Sequence, residues 1–537
     1  MRYFLLFSLI VVLTILPARA QDISITVTEH RVSDCGGIFV AHTLDHSTIS
    51  NSDPIRMFDS NGSGLAINDL NNDGTLDIVL ANLDGEESIL WNEGGLNFSR
   101  TSIEIPGKTR SVAIIDLDAD GWNDIIFTTQ RGAPTFWHNQ ADGTFDFEGL
   151  QGVAHPAYAM NWADLDYDGD LDLVAASYDA EMERIDASYL LDGGAGIYYY
   201  ENQGNLQFTA TRLADRSQAL AIYFPDLNGD GLWDIAVGND FAELDRYWVR
   251  ENGEWTEINP FGVITHSTMS FAGADIQNDG SIELYSTDMH PYDDDEETVL
   301  AWQPVMDDMM AMPMVEDDPQ VMTNVMQTLQ DDSYINISEN LGIEYTGWSW
   351  SAKFGDLNSD GFLDLYVVNG MIAEELFGHL PGNELVEENQ AFMNQAGQSY
   401  VTMPEWALNS TQSGRGMSMA DLDADGDLDI VVNNLMSPVM LYENQLCEGN
   451  NLTVEIQDNG SLNRQAIGSY VLLHTEQASY RRDIYASSGY LSGDPSQLHF
   501  GFTETDLINL EIVRSDGTII NIEAPDINTH IVITLND

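Results

Sequence analysis

Seven short stretches of the chain repeat one pattern of oxygen-bearing side chains. The first runs Asp69-Leu70-Asn71-Asn72-Asp73-Gly74-Thr75-Leu76-Asp77, and the others begin at Asp116, Asp164, Asp226, Asp275, Asp356 and Asp421. A hard cation such as calcium takes six to eight oxygen ligands, and a tight loop can supply them from side chains at positions 1, 3, 5 and 9 and a main-chain carbonyl at position 7. The candidate ligands of the first loop are therefore Asp69, Asn71, Asp73, the carbonyl of Thr75, and Asp77. The second offers Asp116, Asp118, Asp120, the Trp122 carbonyl and Asp124; the third Asp164, Asp166, Asp168, the Asp170 carbonyl and Asp172. The fourth offers Asp226, Asn228, Asp230, the Leu232 carbonyl and Asp234, and the fifth Asp275, Gln277, Asp279, the Ser281 carbonyl and Glu283. Asp356, Asn358, Asp360, the Phe362 carbonyl and Asp364 form the sixth set; Asp421, Asp423, Asp425, the Asp427 carbonyl and Asp429 form the seventh.

Position 6 is glycine in every copy, the residue that allows the positive φ needed to fold a chain around an ion. An EF-hand would need glutamate at position 12 and flanking helices. Position 12 is Leu80 in the first copy and Phe127 in the second, and the flanks are β-like, so that reading fails. Ordinary Asp/Gly turns would explain one loop but not seven matching ones. Carboxylates packed this closely repel one another without cations, so about six to seven calcium ions are expected, and they should stabilise the fold as well. The fifth loop, with Gln277 and Glu283, should bind most weakly.

The elements around the loops follow a period of their own. Each loop is entered from a short apolar run and left through another, such as Ile78-Val79-Leu80, and loop starts lie 47 to 81 residues apart. Downstream of most loops comes an aromatic, an Asn/Gly turn and a second aromatic, as in Trp91-Asn92 with Gly94 and Phe98, or Trp137-His138-Asn139 with Gly143 and Phe145. That is a hairpin signal, and two hairpins per unit make a four-stranded blade. The expected fold is all-β: a seven-bladed β-propeller over residues 61–447, preceded by a lead-in at 21–60 and followed by a small sandwich-like β domain at 450–537. Cys35 and Cys447, the two cysteines, flank the ring and are candidates for one disulfide in an oxidising compartment.

Composition bounds the function. Residues 1–20 carry Arg2, an apolar run and Ala18-Arg19-Ala20, the pattern of a secretory signal peptide cleaved after Ala20; a secreted, periplasmic or cell-surface location follows, with no membrane span. With 88 acidic residues against 19 Lys and Arg and a formal charge of −69, nucleic acid is an unsuitable partner.

The loops and hairpins resemble the FG-GAP or VCBS repeats of integrin-type propellers. Asn463-Arg464-Gln465-Ala466-Ile467-Gly468, Gly489-Tyr490-Leu491-Ser492, His499-Phe500-Gly501 and Ser515-Asp516-Gly517 look like the ASPIC/UnbV domain that follows the propeller in the cartilage acidic protein family. Gly62-Ser63-Gly64 and Gly347-Trp348-Ser349-Trp350 are similar to that family too. The resemblance implies a secreted calcium-binding protein acting in adhesion or extracellular interaction. Arg464 is expected to be a buried structural arginine, the alternative being a ligand contact.

Long inserts at 178–195, 289–324 and 371–390 follow the second strand of their units, so they should gather on the face opposite the calcium loops, where long loops on a rigid scaffold would bind a partner. Met306, Met309, Met310, Met312 and Met314 make the second of these an adaptable contact, or alternatively a thioether site for Cu(I). No zinc-hydrolase, nucleophile-elbow or phosphate-loop motif is present, and His42 and His46 carry no recognisable role. The expectation is a monomeric, non-catalytic recognition protein for an extracellular glycan, matrix or protein ligand; the alternative is a calcium-dependent polysaccharide lyase or glycoside hydrolase working on the insert face.

Overall fold

The computed structural model describes residues 22–33, 35–191, 194–241, 243–311, 318–503, 505–523 and 525–536. The expected signal peptide lies outside them. Strand-forming residues dominate, and their period decides which strand goes where. In the first unit Leu65–Asn68 pairs antiparallel with Asp77–Leu80, which pairs with Glu87–Asn92 and then Phe98–Ile103. The first two strands are buried at every position, whereas the fourth shows exposed Ser, Arg and Thr along its length. Inner strands are covered on both faces and so read as continuous apolar runs; outer strands meet water.

Seven such four-stranded antiparallel units recur among the described residues. Their first strands, Leu65–Asn68, Thr109–Ile115, Ala159–Ala163, Ala219–Tyr223, Phe271–Ala274, Ser351–Gly355 and Gly414–Ala420, touch one another in cyclic order, the seventh returning to the first. The sheets thus form a closed β-propeller, which removes long exposed sheet edges. The ring is closed by the N-terminal segment: Phe39–Ser47 supplies the outer strand of the seventh unit, paired with Pro438–Asn444. Just before it, Cys35 is bonded to Cys447 with 5.6 Å between their Cα atoms. Cross-linking residues 412 apart in sequence restricts the unfolded chain strongly, on the order of 6 kcal/mol by loop-closure entropy.

Beyond the ring, two four-stranded sheets share one core. One has the order Asp22–Glu29, Thr529–Asn536, Asn450–Asp458, Leu498–Phe502; the other Ser479–Asp483, Tyr470–Thr475, Leu507–Val513, Ile519–Glu523. Val454, Ile456, Ile531 and Ile533 of the first meet Val471, Leu473, Leu510 and Ile512 of the second. The start of the chain therefore contributes strands to both bodies, 22–29 to the sandwich and 39–47 to the propeller.

The three inserts do gather on one face. Helices Asp179–Leu191, Glu296–Ala311 and Glu374–Phe377 bring Tyr178, Trp302, Val305, Met371 and Phe377 into one apolar cluster with Trp348, Trp350 and Tyr490. Arg184 joins Glu375 at 3.1 Å, and His379 meets the Ala301 carbonyl at 3.0 Å. Met306 and Met309 pack against this cluster; Met312 and Met314 lie outside the described residues, as does any copper site they would complete. Glu387 is buried beneath the inserts, its carboxylate accepting the Trp302 indole N–H at 3.1 Å and the Trp348 N–H at 2.7 Å. Burial pushes its pKa up to about 7. The folded state therefore holds a proton that the unfolded chain releases, and the stability tied to Glu387 is fully present below about pH 4.5 and lost as pH rises through about 7, up to about 3 kcal/mol. In saturating calcium, the stability difference between wild type and Glu387→Gln should shift against wild type by about 2–3 kcal/mol from pH 5.5 to 8.5; guanidinium denaturation of both proteins at each pH measures it, and a constant difference would refute the assignment.

Candidate metal centres

Each nine-residue loop joins the first and second strands of its unit, so all seven lie at one end of the ring. Two left-handed residues bend each loop. Position 6 is the expected glycine, with φ from +82° to +101°. Position 4 is also left-handed in all seven copies, at +55° to +74°, through Asn72, Ala119, Tyr167, Gly229, Asn278, Ser359 and Ala424. Sequence reasoning missed the second bend; Asn or Gly at three of the copies was its signal.

The bends aim main-chain N–H groups at the carboxylates. In the first loop Asp69 accepts N–H bonds from Asn71, Asp73 and Gly74, and Asp73 accepts the Thr75 N–H at 2.9 Å. The position 1 carboxylate takes the position 6 N–H in every loop, at 2.8–3.1 Å. The position 9 acid takes the position 2 N–H, at 2.8–3.4 Å. These bonds fix the carboxylate oxygens in place around each loop.

In three loops those oxygens converge. Asp116, Asp118 and Asp124, then Asp164, Asp166 and Asp168, then Asp421, Asp423 and Asp425 each present ligand atoms within 4.8 Å of one another. Loops one, four and six carry Asn71, Asn228 and Asn358 at position 3 and concentrate fewer acids. Buried Oδ1 atoms of Asp116, Asp164, Asp170, Asp423 and Asp427 find no hydrogen-bond donor. Burial, reinforced by neighbouring carboxylates, pushes Asp124 and Asp172 up to about 8 and Asp77, Asp164, Asp170 and Asp423 to about 7, with Asp421, Asp427 and Asp429 well above the usual range. Orphaned, crowded hard oxygens in a preformed cradle fit a divalent cation. At Asp170 and Asp427, where only a carbonyl was expected to matter, the side chains are buried and add to the crowding.

The second loop has a feature the others lack. His138 Nε2 lies 3.2 Å from Asp118 and 3.5 Å from Asp120, and the three form a further group able to hold a metal. In the sequence His138 reads only as part of a hairpin. His42 and His46 share no site: His42 meets Glu443 at 2.6 Å, and His46 meets Ser88 at 2.8 Å.

The hairpin asparagines also do more than turn the chain. The Asn139 N–H bonds Asp124 Oδ1 at 2.9 Å, while its side-chain amide donates to the Asn123 carbonyl and to the Leu70 carbonyl of the preceding loop. Asn92, Asn394 and Asn444 reach Leu422, Ile276 and Leu357 in the same way. Each of these asparagines staples one acidic loop to its neighbour.

Comparison with known proteins agrees with this geometry. The family model described as FG-GAP-like repeat matches residues 69–127, 116–175 and 226–286, and the model described as ASPIC and UnbV matches 459–537. This chain joins FG-GAP-like repeats to a C-terminal ASPIC/UnbV domain. Integrin alpha-8 of Gallus gallus is 31% identical over 148 residues, and that of Homo sapiens 32% over 148 residues; each match covers 25% of this chain and 14% of the relative. Among solved structures, the BP39L lectin from Burkholderia pseudomallei aligns with a TM-score of 0.47 at 10% identity, over 71% of this chain and 96% of that one. The loops at 356 and 421 fall outside the matched FG-GAP segments yet share the left-handed bends and carboxylate bonds of the rest.

The ASPIC/UnbV domain sits on the acidic loops. Gln465 accepts the Asp116 N–H at 3.1 Å, the Asn463 N–H donates to the Gly169 carbonyl at 2.9 Å, and Arg481 reaches the Gly280 carbonyl at 3.1 Å. The Tyr485 ring stacks on Trp233 at 5.1 Å, and Gly501 lies so close to Asp356 that a Cβ would come within 2.2 Å of its Oδ2. Arg464 is not the buried structural arginine expected: its side chain is 35% exposed and approaches Asp116 Oδ2 at 3.9 Å. Its motif is a docking strip, with Asn463 held internally by bonds to Ile467 and the next residues left free to reach the loops.

Proposed function

We propose that this chain is a calcium-loaded extracellular recognition module of the adhesion type, with binding rather than catalysis as its role. The observation that carries the reading is the repeated cradle: seven loops of one geometry, with buried carboxylate oxygens that lack donors in the second, third and seventh. The ligands in each loop are those read from the sequence, at positions 1, 3, 5 and 9 with the position 7 carbonyl. The integrin likeness and the disulfide support an extracellular setting, and among the described residues no helix is long and apolar enough to cross a membrane. The bound cations make the acidic end of the propeller rigid and give the ASPIC/UnbV domain a fixed platform.

Calorimetric titration of the mature protein with calcium tests the reading. Saturation at six or seven ions is expected, the acid-rich third and seventh loops filling first and the fifth last, because there the longer Gln277 replaces the Asp or Asn of position 3 and Glu283 the Asp of position 9. Uptake of fewer than three ions would refute it.

A further inference from the structure

The ASPIC/UnbV domain does not cover the loops evenly. Between loops one, two and seven and the sandwich it leaves a cleft of 660 Å³, bridged at loop two by the Asp116–Gln465 bond. That volume suits a ligand of a few sugar rings, and domain interfaces are common places for such sites. The floor is made by Asp69, Asp116 and Asp423 of the three loops; the opposite wall by Glu455, Gln457 and His530 of the sandwich. Asp116 is 4% exposed, and its Oδ1 has no hydrogen-bond donor.

The lining tells against an apolar ligand. Amides converge on the space from both bodies, with Asn72, Asn123 and Gln465 near the loops and Gln457, Asn459 and Gln497 on the sandwich side. Amides and carboxylates offer donors and acceptors of the kind that pair with vicinal hydroxyls. The cleft also holds two of the 19 basic residues of this very acidic chain, Arg31 and Arg464. With divalent cations in the three loops beneath, the local excess of negative charge falls sharply, and the two guanidiniums, which bind carboxylates through a planar fork, become free to hold an anion.

We propose that this cleft binds a short acidic saccharide of the uronate type, with Arg464 and Arg31 on a carboxylate and the amides on ring hydroxyls. The site rests on the calcium reading above, because without the cations the floor repels an anion.

The test uses the full mature chain in saturating calcium, with trigalacturonate as the probe and neutral maltotriose as its counterpart. Calorimetry should show trigalacturonate binding with Kd below about 1 mM, at least tenfold weaker for Arg464→Gln and at least tenfold weaker for maltotriose. Gln457→Trp, which fills the cleft without touching a loop, should abolish binding while calcium uptake stays as in wild type. Absence of binding, equal binding of maltotriose, or binding unchanged in both variants would overturn the cleft assignment. Measuring calcium uptake on the same samples separates that failure from failure of the metal reading, which would appear as a protein that takes up no calcium.

Discussion

Removing calcium should lower the unfolding midpoint of this protein by about 10 °C or more, since each site held at 100 times its Kd contributes about 2.7 kcal/mol and several sites act together. The physical reason lies in what chelation leaves behind. Asp421, Asp423, Asp425, Asp427 and Asp429 crowd one loop, all but Asp423 nearly out of solvent, with neighbouring carboxylates among the causes that push Asp421, Asp423, Asp427 and Asp429 toward protonation. A divalent ion turns that repulsion into coordination. The same argument predicts a crossover in the variant Asp423→Asn/Asp425→Asn: less stable than wild type in calcium, where ligands have weakened, yet more stable in chelator, where repulsion has been relieved. Differential scanning calorimetry in calcium and in EDTA measures both. A midpoint indifferent to EDTA, or a variant ranked below wild type in both conditions, would show that the loops are folded by their hydrogen bonds alone.

The repeat was legible because its chemistry is local. An acid at every other position followed by glycine sets the loop, and alternating apolar and polar runs set the strands on either side, so the units could be counted from residue types. Position 4 escaped because a left-handed bend is also adopted by Ala119, Ala424 and Tyr167 when surrounding bonds impose it. Asn139 was visible as a turn residue but not as a staple, since its partner at Leu70 lies 69 residues away. Long-range placement was illegible for the same reason. Nothing local marks Asp22–Glu29 as a strand of the C-terminal sandwich, eight residues paired with Thr529–Asn536. The 35% exposure of Arg464 follows from how the sandwich sits on the loops, which no local pattern encodes.

Three of the resembling motifs scattered through the sequence meet at one place. Ser487–Ser488 and Ser492–Gly493 of the ASPIC/UnbV domain run along the axis of the propeller: Ala66 of the first unit pairs with Gly493, Val112 of the second donates to the Leu491 carbonyl, and Phe271 of the fifth bridges to Gly489. Gly64 is required there, because a Cβ would lie 1.8 Å from the Leu491 carbonyl oxygen. Gly62-Ser63-Gly64, Gly347–Trp350 and Gly489–Ser492 thus belong to one packing problem, the filling of a ring too wide to close on its own side chains. At the far end the segment delivers Tyr490 to the insert cluster, beside the buried Arg110–Glu181 pair and Arg415. The domain that rests on the acidic loops also reaches the opposite face.

Replacing Tyr490 by alanine should therefore cost about 3–5 kcal/mol, as for a large aromatic removed from a core that cannot collapse. Tyr490 is fully buried, its ring 5.1 Å from Trp350, its hydroxyl 2.9 Å from the Asn61 carbonyl and 3.0 Å from the Tyr158 hydroxyl, and its N–H bonded to Ser351. The ring of inner strands fixes the width of the axis, so the vacated space stays open, and Tyr158 loses a partner in a dry setting. Tyr490→Phe removes only the hydroxyl and should cost about 1–2 kcal/mol. Denaturant unfolding in saturating calcium distinguishes the two, and it should show wild-type propeller and ASPIC/UnbV domain unfolding in one transition because the plug belongs to both cores. A loss below about 1 kcal/mol for Tyr490→Ala, or separate transitions in wild type, would mean that the axis is held by the blades themselves and that the plug merely lies in it.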